Sequence, residues 1–522
     1  MVNANNNFDV VIVGGTPGGI AAAIGAARHG RTVALIERHN HLGGMSTSGL
    51  GKSDVEHREV IGGLFLEFVN RIRDKYLAKF GEESDDYQLC REGYYFEPSV
   101  AEVVFDEMLA EFPAITVMRL HQLESAVVEQ NRVKAIRLTS RAADAETIVT
   151  GQVFVDATYE GDLYAAAGAN FRLGREARDE YDEAHAGQIY FDYQNGIVLP
   201  GSTGLADDRL PAYTYRLCLT TDPDNSAPMS EPPPGYDRQN YLPYLDDLKA
   251  GRLSAPKVLK DGWGYYPEHF DTLVRALSVT DLPNKKVDAN INPRPLAFPF
   301  PEENVGYIEG DWARRDQIAE RHRQLTIGLL WFLQHDEIVP PEHRAMALKY
   351  HPPRDEFTDN GHFPWQLYVR EGRRLVGRYT LTEHDVSFTP DSPTTPDFDD
   401  TIALGEFPID SFPARKRQPQ DDLVLEGYLG MLAHITRPYQ IPYRVMLPET
   451  IEGLIVPVAV SATHVAYSSV RMEPTWMALG HAAGLAAHLS IENGVALSDV
   501  SMPEMQSQLA AEGQVLEVAT VS

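Results

Sequence analysis

Gly14-Gly-Thr-Pro-Gly-Gly19 closes a short apolar run, Asp9-Val-Val-Ile-Val13, and Glu37 stands 23 positions after the first glycine. Glycines at a strand end let the backbone turn tightly and offer N–H groups to an anion, and an acid about twenty residues on is placed to bond a ribose hydroxyl. Together they are the chemistry of a dinucleotide site. Thr16 occupies the place of the middle glycine in G-x-G-x-x-G, so a hydroxyl stands ready as a phosphate donor, with Pro17 fixing the loop and Gly18 and Gly19 opening the helix. A second glycine pair, Gly43-Gly44, comes six residues after Glu37 and runs into Met45 and Ser46. A third concentration is cationic: Leu367-Tyr-Val-Arg-Glu-Gly-Arg-Arg374. One or two of Arg370, Arg373 and Arg374, with Arg370 and Arg373 foremost, are the candidates from it to hold an anionic or polyhydroxyl substrate. The plainer alternative is an ion-pair network with acids such as Glu371 and Glu383.

The elements that must position these groups follow from periodicity and stop signals. Asp9–Val13 and Thr32–Ile36 read as buried parallel strands, with a small-residue helix over Ile20–His29 between them and Gly30 as its stop. Val153–Thr158 is another such strand, and its bare end at Ala157-Thr158 suits a dinucleotide lying across the sheet edge. Asp162 then opens an alanine-rich helix that it can cap. His121–Thr139 reads as a hairpin turning at Gln130-Asn131. Near the other end, Gly453–Val460 reads as a buried strand and Pro474–Asn493 as a helix stopped by Gly494. That helix is small-faced like the first, so the two can pack closely. Between about residues 171 and 425 the alternation of strand and helix vanishes, prolines cluster as in Glu231-Pro-Pro-Pro-Gly235, and only Asp311–Gln334 has clear helical periodicity. The fold class expected is therefore α/β: a Rossmann-like nucleotide-binding domain formed by residues 1–170 and completed by 426–522, with an inserted mixed α+β substrate or cap domain over 171–425.

Composition narrows the partners. The chain has 522 residues with 46 basic and 75 acidic side chains, a net charge of −29. Such a charge repels phosphate polymers, so no nucleic-acid partner is expected. Two cysteines, Cys90 and Cys218, exclude a disulfide framework and a thiolate metal or iron–sulfur site. No apolar stretch reaches the length of a membrane span, and the first residues lead into a glycine turn rather than a signal peptide, so no membrane partner and a cytoplasmic location are expected. HExxH and GxSxG are absent, and no metal is expected. The oligomeric state is not legible.

The double glycine after the ribose acid, followed by small polar residues, is characteristic of flavin adenine dinucleotide (FAD) sites rather than NAD sites. It makes Glu37, Arg38, Gly43, Gly44, Met45 and Ser46 cofactor contacts. The sequence resembles the family of FAD-dependent oxidoreductases in Gly14–Gly19, Glu37–Met45, Phe154–Leu163 (FVDATYEGDL), Arg216–Thr220 (RLCLT), Leu367–Arg374, Ile441–Pro448 and Ser461–Pro474 (SATHVAYSSVRMEP). The resemblance covers nearly the whole chain, in order. It implies FAD as cofactor, with Val127 or a neighbour near the adenine and the Pro474 helix aimed at the flavin pyrimidine edge, where Arg471 and Met472 join it. It places His464 and Tyr467 in a loop beside the flavin, with His464 as general base. His39 and His41 are the candidates for covalent attachment of the flavin. The activity implied is oxidation of a small polar substrate, sugar-like or carboxylated, by hydride transfer to flavin N5. No second glycine-rich unit supplies an NAD(P)H domain, so oxygen or an external acceptor reoxidises the flavin. A flavin monooxygenase or amine dehydrogenase, and a redox-silent FAD-binding protein, are the other readings open to these residues.

Overall fold

The computed structural model describes residues 6–143, 145–250, 276–389, 394–419 and 421–518. Strand β1 (Asn7–Val13), helix α1 (Pro17–Ala27) and strand β2 (Val33–Ile36) form the first unit. Helices α2 (Gly63–Phe80) and α3 (Pro98–Ala110) lead to β3 (Ile115–Met118), β4 (His121–Glu129), β5 (Arg132–Ser140) and β6 (Glu146–Asp156). These strands lie in one sheet in the order β3-β2-β1-β6-β5-β4. The β1, β2, β3 and β6 pairings are parallel, whereas β5 runs antiparallel to both β4 and β6. Period-two alternation divides β1 between two cores. Val10 and Ile12 face α1, while Val11 and Val13 join Leu123, Leu163 and Tyr164 on the other side.

The α/β class and the Rossmann-like sheet are as the sequence indicates. Two boundaries differ from the sequence pattern, each for a local physical reason. Helix α1 begins at Pro17 rather than Ile20, because proline at the first position is pre-set for a helix and Thr16 caps it by accepting from Gly19 N at 3.1 Å. The apolar run Gly453–Val460 pairs only as a seventh strand, β10 (Leu454–Ile455), parallel to β6. Pro457 has no N–H for a ladder, and the run continues as buried irregular backbone tied by Val456 N to Met446 O and Ser461 N to Val445 O.

The middle of the chain carries small separate sheets. Strands β7 (Leu217–Thr220), β8 (Val279–Leu282) and β9 (Lys286–Ala289) form one of them, with β9 central and both pairings antiparallel. Helix α4 (Asp162–Ala166) follows β6, and helix α5 (Trp312–His335) is capped by Asp311. Thr401–Gly405 pairs with Tyr439–Pro442, and Asp410–Ser411 pairs with Gly430–Met431. The segment expected to complete the nucleotide unit from residue 426 therefore begins among the small sheets and reaches the large one at Leu454.

Helix α7 (Glu473–Asn493) lies against α1 at backbone contact. A Cβ on Gly480 would stand 2.0 Å from Gly18 O, and one on Gly484 2.3 Å from Ala22 O, both far inside any real contact. The small-residue faces of the two helices are there for this packing. Between β10 and α7 the sequence His464–Val470 is a short helix, α6, not the expected loop. Thr463 caps it by accepting from Ala466 N, an N-terminal signal strong enough to offset its β-branched content. Among the described residues no helix is long and apolar enough to cross a membrane.

Candidate functional site

Two cavities flank the strand ends and are bridged by one stretch of chain. The first lies beyond the carboxyl ends of β1, β2 and β6. Gly14, Thr16, Glu37, Arg38, Thr158 and Asp162 line it, and Trp312 enters from α5. Gly14 has φ +105°, and a Cβ there would lie 2.6 Å from the Ala157 backbone, so glycine is required where β1 turns against the end of β6. Glu37 accepts from Gly15 N at 2.7 Å through one oxygen and from His39 N at 2.8 Å through the other. Burial pushes its carboxyl up to about 7, against those two hydrogen bonds. Each oxygen retains a lone pair for a ribose hydroxyl.

The other polar groups here are largely committed to one another. Thr16 Oγ1 donates to Ala157 O at 2.8 Å while it caps α1, so the hydroxyl expected to donate to phosphate is spent inside the protein. Asp162 does not cap its own helix. It pairs with Arg315 at 2.7 Å and with Arg373 at 3.0 Å, because two guanidiniums in a buried site outbid a backbone N–H. Arg373 also donates to Glu160 O and Ile308 O, so it is an ion-pair partner here and lines neither cavity. Val127 lies farther along β4, half-buried and paired with Ala135, while His121, Gln122 and Leu123 provide this strand's wall. The guanidiniums of Arg38 and Arg315 stand 4.5 and 4.9 Å from the Trp312 ring centre, and the indole Nε1 donates to Leu123 O.

His41 holds Glu102 at 2.9 Å and Asp359 at 3.0 Å, which occupies both its ring nitrogens, and the hydrogen bond to Glu102 helps raise its pKa. Burial leaves His39, at the first cavity, neutral.

The Gly43–Ser46 segment is tied to the glycine turn and to the C-terminal helix. Gly43 N donates to Gly15 O, and Met45 N donates to the Tyr159 hydroxyl at 3.0 Å. That hydroxyl donates in turn to Glu473 Oε1 at 2.5 Å, at the first turn of α7. Burial pushes the Glu473 carboxyl up to about 8, and its Oε2 is buried without a partner. A crevice at the carboxyl ends of parallel strands, a glycine turn at the start of an 11-residue helix, a ribose acid with lone pairs to spare and a buried orphan oxygen on α7 fit the donor and acceptor set of FAD. Pro17, Gly18, Gly19, Gly44 and Ser46 are the neighbours that would approach its pyrophosphate.

The second cavity lies at the other end of that connection and is lined by Arg471 and Met472, the residues just before α7. Arg370 lines it too, wholly buried, with its guanidinium 3.5 Å from the Phe412 ring centre and 4.1 Å from that of Tyr368. Arg471 donates to the Tyr368 hydroxyl at 3.1 Å and to Asp410 O at 2.7 Å. Arg216 from the strand approach, Asp54, Asn290 and Asp410 complete the polar wall. His464 and Tyr467 are not on it. His464 is buried, with Nδ1 2.7 Å from Glu371 Oε2, and the Tyr467 hydroxyl donates to Val458 O. Glu371 in turn pairs with Arg374 at 2.8 Å, and Arg374 with Glu176 at 2.7 Å.

Sequence reasoning overlooked Tyr159 and Glu473 although both stand in the motifs quoted above, and a buried-type acid in Arg-Met-Glu-Pro was the available signal. It had no handle on Asp54, Asn290 or Asp410, which three separate segments bring together. Among the described residues no group of three or more histidines, cysteines or acids is arranged for a metal.

A family model described as FAD dependent oxidoreductase matches residues 9–509. Over 44 residues, 8% of this chain and 10% of the relative, the sequence is 50% identical to a soluble pyridine nucleotide transhydrogenase of Chromohalobacter salexigens. A transhydrogenase of the same description from Pectobacterium atrosepticum is 49% identical over 41 residues, 8% of this chain and 9% of the relative. The chain spans about a tenth of the length of these curated relatives. Among solved structures it is similar to Thermovibrio ammonificans THI4, with 22% identity, 33% of this chain and 67% of that chain covered, and a TM-score of 0.24. Glycerol-3-phosphate dehydrogenase from Bacillus halodurans complexed with FAD gives 13% identity, 36% and 44% coverage and a TM-score of 0.25.

Proposed function

The chain belongs to the FAD dependent oxidoreductase family, and from that premise we propose that it oxidises a small polar substrate held in the Arg370–Arg471 cavity. It is an oxidoreductase, and its cofactor is FAD. When bound, FAD supplies a two-electron acceptor that takes hydride at N5. The observation that carries the reading is the position of the second cavity. Its wall includes Met472, the N-cap of α7, and α7 is packed against the helix that the glycine turn opens. Arg471, at that helix start, favours negative charge gained on reduction.

The residues of the chain then divide the work. The wall amides and hydroxyls hold the substrate, and as C–H and O–H (or N–H) bonds break to form C=O (or C=N), Asp410 takes the proton. Asp410 is on the wall, and burial raises its carboxyl above the ordinary range against the pull of Arg471 and Arg370. His464 acts at one remove in this reading: through Glu371 it fixes the segment that carries Arg370. Oxygen or an external acceptor removes the electrons afterwards.

Anaerobic mixing with panels of polyols, hydroxy acids and amines, read as bleaching of the oxidised flavin band, tests the proposal. Bleaching by members of these panels is the expected result. Bleaching by NADPH alone makes the protein a monooxygenase, and no bleaching by any donor makes it redox-silent; either overturns the proposal. With a bleaching donor in hand, Asp410→Asn slows reduction more than His464→Ala, and the reverse order returns the base role to His464.

A further inference from the structure

In this acidic protein, buried arginines come with carboxylates. Arg175 pairs with Asp207 and Glu426, Arg216 with Asp288 and Asp54, Arg315 with Asp162, and Arg374 with Glu176 and Glu371. Arg370 is the exception on the second cavity's wall. Its Nη1 donates to Ala212 O at 2.8 Å and its Nη2 reaches Asn290 Oδ1 only at 3.4 Å. Its Nε is buried without a partner, and among the described residues no carboxylate lies within ion-pair distance of it.

We propose that Arg370 anchors a single carboxylate of the substrate, held side-on by Nε and Nη2 between the Tyr368 and Phe412 rings, and that the substrate is a hydroxylated carboxylic acid. The proposal rests on the oxidation reading above. A buried guanidinium without a counter-charge is strongly disfavoured, and its Nε–Nη edge matches the two oxygens of a carboxylate. Burial holds the Arg370 guanidinium down at about 9, a penalty an incoming anion would relieve. The charge of the ligand is limited by the same wall, since Asp54, Glu56 and Asp410 line it and would repel a phosphate dianion. Hydroxyl groups on the rest of the ligand suit the amides of Asn290 and Asn292 and the hydroxyls of Ser278 and Thr280. Oxidation of such a substrate turns its carbinol into a carbonyl, with hydride passing to FAD and the hydroxyl proton to Asp410, and leaves the carboxylate unchanged.

The test is titration calorimetry on the full-length, FAD-loaded protein at neutral pH with paired probes: glycolate against ethylene glycol, lactate against propylene glycol, and gluconate against glucitol. At least one carboxylate is expected to bind roughly thirtyfold or more tighter than its neutral twin, as for a buried charge-assisted pair. Arg370→Gln removes that preference, Arg370→Lys keeps part of it, and inorganic phosphate does not displace the bound carboxylate. Equal binding within every pair, a preference that survives Arg370→Gln, or displacement by phosphate overturns the anchor. If Arg370→Gln fails to retain FAD, the wild-type pairs decide by thermal melting, where stabilisation by a carboxylate but not its twin supports the anchor and equal shifts overturn it. Flavin bleaching by neutral donors alone would remove the carboxylate and leave the oxidation reading. Carboxylate binding with no bleaching by any donor would keep the anchor and remove that reading.

Discussion

Arg370 and Arg373 lie three residues apart on one segment and end in opposite circumstances. Arg373 is satisfied by Asp162, which lines the first cavity, and by two backbone carbonyls. Arg370 lines the second cavity with no carboxylate within ion-pair distance among the described residues. The same contrast separates the two cavities. Around the first, most side-chain charges are cancelled within the protein, and what remains open is backbone, glycine, the helix start and the spare lone pairs of Glu37. Around the second, recognition is carried by side chains, at least one of which waits for a partner. A cofactor that never changes can be held by main chain, whereas a substrate must be selected by groups that differ from one protein to the next.

The contrast can be broken at four points. The largest effect should come from Gly14→Val, which puts a branched side chain at φ +105° and against the Ala157 backbone. Purified variant should carry FAD at less than about a hundredth of wild-type affinity, read by cofactor retention on desalting, since strain and lost approach act together. Asp410→Asn, at the other cavity, should keep FAD fully while anaerobic flavin reduction slows about 100-fold. Arg373→Gln should weaken FAD roughly three- to tenfold, because Asp162 keeps Arg315, and should leave carboxylate affinity unchanged. A change in carboxylate affinity in that variant would erase the division between the cavities.

The smallest effect concerns Glu473, between them. Burial raises its carboxyl from 4.5 to about 8, so the folded protein keeps a proton that the unfolded chain loses above about pH 4.5. The stability tied to that proton is complete below pH 4.5, falls as pH rises to about 8, and changes no further above it. The Tyr159 hydroxyl donates to this carboxyl and so opposes the rise, whereas the Asp54 charge at longer range adds to it. Glu473→Gln cannot ionise, so its melting temperature relative to wild type should climb by a few degrees across that window, measured by thermal scans in steps of pH.

The sequence made the first cavity legible and the second nearly opaque, for a physical reason. Val10, Ile12, Val33 and Leu35 announce buried parallel strands, and a glycine turn with Glu37 at dinucleotide spacing is a local pattern that local backbone geometry dictates. Arg370 was visible as a cation in an acidic chain, but its lack of a counter-charge depends on where Asp162, Glu176 and Asp410 come to rest. His464–Val470 read as a loop because its β-branched and polar residues are poor helix formers, while the cap at Thr463 was the stronger fact. Gly453–Val460 read as a full strand because apolar runs report burial, and burial here extends beyond hydrogen-bonded pairing.

The contact of α1 with α7 sets an order of events during synthesis. Helix α1, wholly buried in the finished protein, leaves the ribosome more than 400 residues before the helix that covers it. At roughly 5–20 residues per second this is tens of seconds. For that interval an apolar strand–helix–strand unit stands in the cell with one face uncovered, while the small sheets of the middle region can already form among themselves. Helix α1 is thus among the first parts of the molecule to be made and among the last to be covered, which makes the nascent chain a client for chaperones at its beginning rather than at its end.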